Sequence, residues 1–143
     1  MGYAAAVALN DKLYVAGGYD GEEDFDQLYV FDPATNQWQQ KASMQAKRGG
    51  LGLVGAADSL YAIGGGWNQA PASSEKYDLT TDSWSNFDSP MTEQWRNMGL
   101  TVIDTKIYAV GGWNGKRQRF MDTLVSYQFL FQLFIPISNS RTN

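Results

Sequence analysis

Six residues of this 143-residue chain suit molecular recognition: Arg48, Trp67, Asn68, Arg96, Trp113 and Asn114. Guanidinium groups grip carboxylates through two parallel hydrogen bonds, and Trp and Arg dominate the energetics of protein interfaces. Trp67 and Trp113 are each followed by Asn, so an apolar ring recurs beside an amide that both donates and accepts. Catalysis is much less well supplied. The chain has no His and no Cys, which removes imidazole bases, thiol nucleophiles, disulfides, zinc fingers and type 1 copper. Acidic groups concentrate in one run, Asp20, Glu22, Glu23, Asp24 and Asp26. A carboxylate pair acting on a sugar would have to come from that run, which reads as a solvated loop without an apolar pocket to raise a pKa. It also lacks the alternating ligands and closing Glu of a calcium loop. The Gly-Gly pairs lead into loops and strands rather than into a helix with Lys-Ser/Thr, so they form no phosphate cradle. The expectation is a noncovalent binding module, not an enzyme, with no metal and no cofactor.

Such residues need a rigid scaffold, and the sequence supplies one by repetition. Leu13-Tyr14-Val15-Ala16-Gly17-Gly18 recurs as Leu60-Tyr61-Ala62-Ile63-Gly64-Gly65 and as Ile107-Tyr108-Ala109-Val110-Gly111-Gly112, with 47 residues between equivalent positions. A period of this size marks a solenoid or a propeller. Phe31 is followed by Trp38 across a polar turn, and Tyr77 by Trp84 at the same spacing. In the middle copy, residues 49–56 and 60–64 read as two strands joined through Ala57-Asp58-Ser59, residues 74–78 as a third strand and 83–87 as a fourth. No window carries a sustained helical period, so an all-β fold is expected. Ala4, Ala5, Ala6, Gly49, Gly50, Gly52 and Gly99 are expected on innermost strands, where converging sheets leave least room. Tyr14, Tyr61, Tyr108, Trp38 and Trp84 are expected further out, filling the widening space between sheets.

Composition narrows the partners. With 15 carboxylates against 11 Lys plus Arg, for a formal charge of −4, general binding to nucleic acid is disfavoured. A hydrophobic content of 43% with 18% charged residues leaves enough apolar surface for a core. The first seven residues lack the basic and long apolar regions of a secretory signal. The absence of Cys is compatible with the cytosol and with an oxidising space alike. The apolar run at residues 129–137 is shorter than the roughly 20 residues a membrane-spanning helix needs, so no membrane span is expected.

Taken together, these motifs resemble the Kelch repeats of β-propellers. The resemblance rests on Gly17-Gly18, Phe31, Trp38 and Arg48, repeated as Gly64-Gly65, Tyr77, Trp84 and Arg96, and it covers roughly residues 1–127. It implies three four-stranded antiparallel blades forming a half-ring or partial propeller, with blade 1 at about residues 2–45, blade 2 at 46–94 and a divergent blade 3 at 95–137. Residues 138–143 form a polar tail. The resemblance also implies that the loops after Gly-Gly and the segments between repeats, with Arg48 and Arg96, open on one face. Protein recognition there is the expected function; carbohydrate recognition, with Trp67 and Trp113 as stacking faces, or a metal-independent sugar-modifying role is the alternative. Copper chemistry of the kind galactose oxidase performs on a Kelch fold needs His ligands.

Two features depart from the family pattern. Closed Kelch rings generally have more than three blades, so the chain is either a fragment or half of a homodimer that completes a six-bladed ring. In that dimer, Lys116, Arg117 and Arg119 of one copy would sit beside the acidic run at residues 20–26 of the other; the alternative is that both runs are solvated loop tips. The third copy keeps Tyr127 at the aromatic position and Phe134 at the Trp position, but the turn between them is replaced by apolar residues. That run is expected to extend along an open blade edge or to pair with another chain.

Overall fold

Two-residue turns at Asn10-Asp11, Ala57-Asp58 and Asp104-Thr105 each hold at least one residue in the left-handed conformation. Asn10 and Asp11 both have positive φ (51° and 59°). That is the combination a tight hairpin needs to match strand twist, and it joins β1 (Ala5–Leu9) to β2 (Lys12–Ala16). The computed structural model describes residues 2–89 and 94–128, and no helix occurs among them. β1 and β2 continue through β3 (Leu28–Asp32) and β4 (Gln37–Lys41) into a four-stranded antiparallel sheet. The second sheet repeats this order with β5 (Gly52–Ala56), β6 (Ser59–Ile63), β7 (Ser74–Asp78) and β8 (Ser83–Phe87).

The third sheet contains β10 (Gly99–Ile103), β11 (Lys106–Val110) and β14 (Leu124–Gln128). Its register places Tyr127 opposite Ile107, as Phe31 lies opposite Leu13 and Tyr77 opposite Leu60. The expected fourth strand near Phe134, the apolar run and the polar tail all lie outside the described residues. A small accessory sheet of β9 (Trp95–Arg96), β12 (Trp113–Asn114) and β13 (Arg119–Phe120) forms where the sequence suggested only a loop. Among the described residues, no helix is long and apolar enough to cross a membrane.

Inner strands pack against inner strands, β1 on β5 and β5 on β10, so the sheets follow one another side by side. Gly52 and Gly55 make this approach possible. A Cβ on Gly52 would lie 2.3 Å from the Leu100 side chain, and one on Gly55 would lie 3.1 Å from that of Leu9. Gly49 and Gly50 precede β5 in a loop instead of lying in it, and Ala4 likewise precedes β1.

The core lies between sheets. Tyr14, Ala16, Leu28 and Val30 meet Leu53, Leu60, Ala62, Tyr77 and Trp84, and Val54, Tyr61 and Ile63 meet Leu100, Ile107 and Ala109. Trp38 departs from the expected burial: it is 57% exposed, while Trp84 at the same position of the second sheet is 8% exposed and donates Nε1–H to the Ala42 carbonyl at 2.7 Å. The difference is the neighbour, since sheet 1 precedes Trp84, whereas among the described residues no sheet packs over Trp38, whose ring meets Phe31 of its own sheet at 5.0 Å.

Polar bonds fasten the first junction. Asp82 accepts from the Tyr77 hydroxyl (2.6 Å) and from the Ala42 amide (3.0 Å), which holds its carboxyl below the usual range. Beneath the loops, Glu75 and Arg48 form a fully buried ion pair at 2.9 Å. Glu75 also accepts from the amides of Gln45 (2.6 Å) and Ala46 (3.1 Å), while Arg48 donates to the carbonyls of Gly64 (2.9 Å) and Ser73. The pair stitches the link between sheets 1 and 2 to the end of β6 and the start of β7.

Candidate functional site

The double glycines set the geometry of the loop face. Gly18 donates its amide to the Arg48 carbonyl (2.9 Å) and Gly65 donates to the Trp95 carbonyl (2.8 Å). Each post-glycine turn is thereby bound to the segment entering the next sheet. At Gly17, with φ 63°, a Cβ would lie 2.2 Å from the Arg48 carbonyl oxygen, so only glycine fits this turn. One step further on, Tyr19 donates to Gly2 O (2.8 Å), Gly66 donates to Gly49 O (2.9 Å), and Trp113 pairs with Arg96 in the accessory sheet.

This register changes the reading of the arginines. Arg48 corresponds to Trp95 by the 47-residue spacing, and Arg96 corresponds to Gly49. Arg48 therefore lies inside, 1% exposed, with its donors committed to Glu75, Gly64 and Ser73. It ties loops together and presents no atom to a ligand. Arg96 instead reaches the loop face, where its guanidinium carbon lies 4.0 Å from the centre of the Trp67 ring. Trp67 is also one position out of step with Trp113, because Gly66 is an additional glycine.

Trp67 is the centre of an aromatic cluster. Tyr19 stacks on it with centroids 5.5 Å apart and planes at 22°, and Tyr3 packs against it at 5.1 Å. The Arg96 contact adds cation–π attraction, which strengthens as the pair leaves water; Arg96 is 9% exposed. Neither Arg96 Nε nor Trp67 Nε1, both buried, has a hydrogen-bond acceptor among the described residues.

Asp24 positions this cluster, and sequence reasoning missed it. Instead of standing in a solvated loop, its carboxylate is 4% exposed and accepts from the amides of Gly49 (3.0 Å), Trp67 (2.9 Å) and Asn68 (2.9 Å). One carboxylate from the first sheet's loop thus fixes the backbone of the second sheet's loop. Gly49 must remain glycine for this packing, since a Cβ there would come within 2.7 Å of Asp24, Trp67 and Tyr19 together. Asn68 is exposed and donates Nδ2–H to the Glu22 carbonyl at 2.7 Å. A cleft of about 460 Å³ opens beside it, bordered by Asp24, Lys47, Asn68 and Pro71.

The third loop is organised differently. Asn114 is 2% exposed and accepts from the Arg117 amide at 2.9 Å, so it caps its own turn. Trp113 is half-buried and meets Phe120 edge-to-face, with centroids 5.0 Å apart. Of the six candidates, Arg96 packs on Trp67 and pairs along the backbone with Trp113, Asn68 is exposed next to Trp67, and Arg48 and Asn114 are buried.

Comparison with known proteins agrees with this architecture. Residues 1–112 match the family model described as the KLHDC2/KLHL20/DRC7 Kelch-repeats domain, and residues 94–140 match the Kelch motif. Kelch-like protein 26 of Danio rerio is 35% identical over 116 residues, covering 77% of this chain and 19% of that protein. Kelch-like ECH-associated protein 1A of Danio rerio is 37% identical over 105 residues, covering 70% of this chain and 17% of that protein. Human Kelch-like protein 23 is 27% identical over 130 residues, covering 89% and 22%. The chain spans about a fifth of the length of these curated relatives.

Proposed function

The chain belongs to the Kelch-repeat family, and from that premise we propose that its loop face is a noncatalytic protein-recognition surface centred on Trp67 and Arg96. One observation carries the reading: two buried donors, Trp67 Nε1–H and Arg96 Nε–H, meet at this face without acceptors among the described residues. A buried unsatisfied donor costs about 1–3 kcal/mol, and more when it belongs to a charged group. Both atoms are covered in the free chain, so a ligand carrying carbonyl or carboxylate oxygens relieves that cost by drawing the stacked side chains out to meet it. Asn68 and Trp113 flank the pair and extend the contact surface.

Ring contacts favour a protein over a carbohydrate ligand. A sugar needs an open aromatic face, and Trp67 is already engaged by Tyr3, Tyr19 and Arg96. A peptide array and a glycan array probed in parallel with the labelled chain separate the two classes. Peptide signal is expected, and Arg96→Met is expected to weaken it at least about tenfold, or roughly 1.4 kcal/mol, with the circular-dichroism spectrum unchanged. Signal confined to glycans, or unaffected by Arg96→Met, would refute the reading.

A further inference from the structure

Sheets 1 and 2 do not close completely against each other. A crevice of about 250 Å³ remains between them, lined by Lys12, Tyr14, Gln39 and Lys41 of sheet 1 and by Tyr77 and Leu79 on the sheet 2 side. Lys12 and Tyr14 stand on one face of β2, and the register carries that face through Val30 of β3 to Gln39 and Lys41 of β4. None of these residues belongs to the loops that hold Trp67 and Arg96, so the crevice is separate from the recognition face.

Its free polar groups are donors. Tyr14 is 5% exposed, and its hydroxyl has no hydrogen-bond partner among the described residues. Lys41 is half-buried and has no carboxylate at ion-pair distance among them. Lys12 commits one N–H to Asp32 at 2.7 Å and keeps two others. The nearby carboxylates are engaged: Asp32 accepts from Lys12 and the Ala34 amide, and Asp82, which attracts Lys41 without bonding it, accepts from the Tyr77 hydroxyl and the Ala42 amide. One water, at roughly 30 Å³, does not fill a space of this size.

The repeat supplies an internal comparison. On the equivalent face of sheet 2, Ser59 replaces Lys12 and hydrogen-bonds the Tyr61 hydroxyl, and Phe87 replaces Lys41 and meets the Tyr61 ring edge-on at 5.6 Å. Lys76 lies over that ring in place of Val30. Tyr61 is thus satisfied within the chain and Tyr14 is not. Packing alone favours the sheet 2 arrangement, because the sheet 1 arrangement covers a phenol without giving its hydroxyl an acceptor.

We propose that this crevice binds a small tetrahedral oxyanion of the phosphate type, with Lys41 and Lys12 supplying charge and the Tyr14 hydroxyl a hydrogen bond. Lysine serves such anions as a point charge. The anion's oxygens provide the acceptors that Tyr14 and Lys41 lack, and the bonds of Asp32 and Asp82 stay in place.

Titrating sodium phosphate into the 15N-labelled full chain at constant ionic strength tests this through the amides of Lys12, Tyr14 and Lys41. Saturable shifts at these amides are expected, with a dissociation constant of about 1 mM or below. Lys41→Gln is expected to weaken binding at least about tenfold, and Tyr14→Phe, which keeps the ring, about threefold or more. Lys106→Gln removes an exposed lysine of sheet 3 and is expected to leave binding unchanged. Glycerol 3-phosphate, titrated in the same way, distinguishes a small phosphate ester from the free anion, the tighter binder identifying the ligand. Shifts that fail to saturate with both probes, saturable shifts centred elsewhere, or an affinity lowered as much by Lys106→Gln as by Lys41→Gln would each overturn the proposal.

Discussion

Glu75→Ala is expected to lower stability by about 3–5 kcal/mol, because it leaves the Arg48 guanidinium buried without its counter-charge. The same change removes the acceptor for the Gln45 and Ala46 amides, which lie in the link that carries Arg48 to Gly18. Arg48 has no compensating exit to water, since burial alone already lowers its pKa and its remaining donors are bound to Gly64 and Ser73 carbonyls. Replacing both members together, as Arg48→Met with Glu75→Leu, is expected to cost less than Glu75→Ala, since apolar isosteres avoid the orphaned charge. Urea unfolding midpoints measure both variants. A double variant less stable than the single one would show that the loops depend on the pair itself and not on avoiding a lone buried ion.

Asp24→Ala is the second large effect, at about 3 kcal/mol, from loss of the charge-assisted bonds to Gly49, Trp67 and Asn68. Unlike Glu75, this residue acts mainly on the proposed site. Its amide partners lie 25, 43 and 44 residues further along the chain, so its removal releases the second loop from the first. The Trp67 ring then loses its fixed approach to Tyr19 and Arg96. Asp24→Asn keeps one acceptor oxygen but turns an NH2 toward the same amides, so an intermediate loss is expected. Thermal unfolding gives the stability change, and near-ultraviolet circular dichroism gives the loosening of Trp67. Unchanged aromatic bands in Asp24→Ala would show that the stack holds itself in place.

The strands were legible in the sequence because their causes are local. Asp32 and Asp78 cap the turns that follow them through the amides of Ala34, Thr80 and Thr81, and Asn36 and Asp82 take the left-handed conformation that ends those turns. Recurrence at 47 residues then aligned the sheets. The site was less legible, for two physical reasons. Gly66 and the displacement of Arg96 by one position from the repeat move Trp67 and Arg96 out of step with their apparent equivalents. Strict use of the 47-residue spacing would have matched Arg48 to Trp95 and exposed the mismatch. The second reason is distance in sequence: nothing near Asp24 distinguishes it from Glu22 or Glu23, because its burial depends on amides supplied by another sheet. Trp38 and Trp84 make the same point, being the same residue at the same register with opposite exposure.

The central claim is that Trp67 and Arg96 form the contact point of the loop face. Titrating a peptide selected on the array into 15N-labelled chain, while following the Trp67 indole N–H and the Arg96 Nε–H, tests it most directly. Both signals are expected to move early and by the largest amounts, with Trp113 following. Saturable binding that leaves both signals in place and shifts residues elsewhere would contradict it.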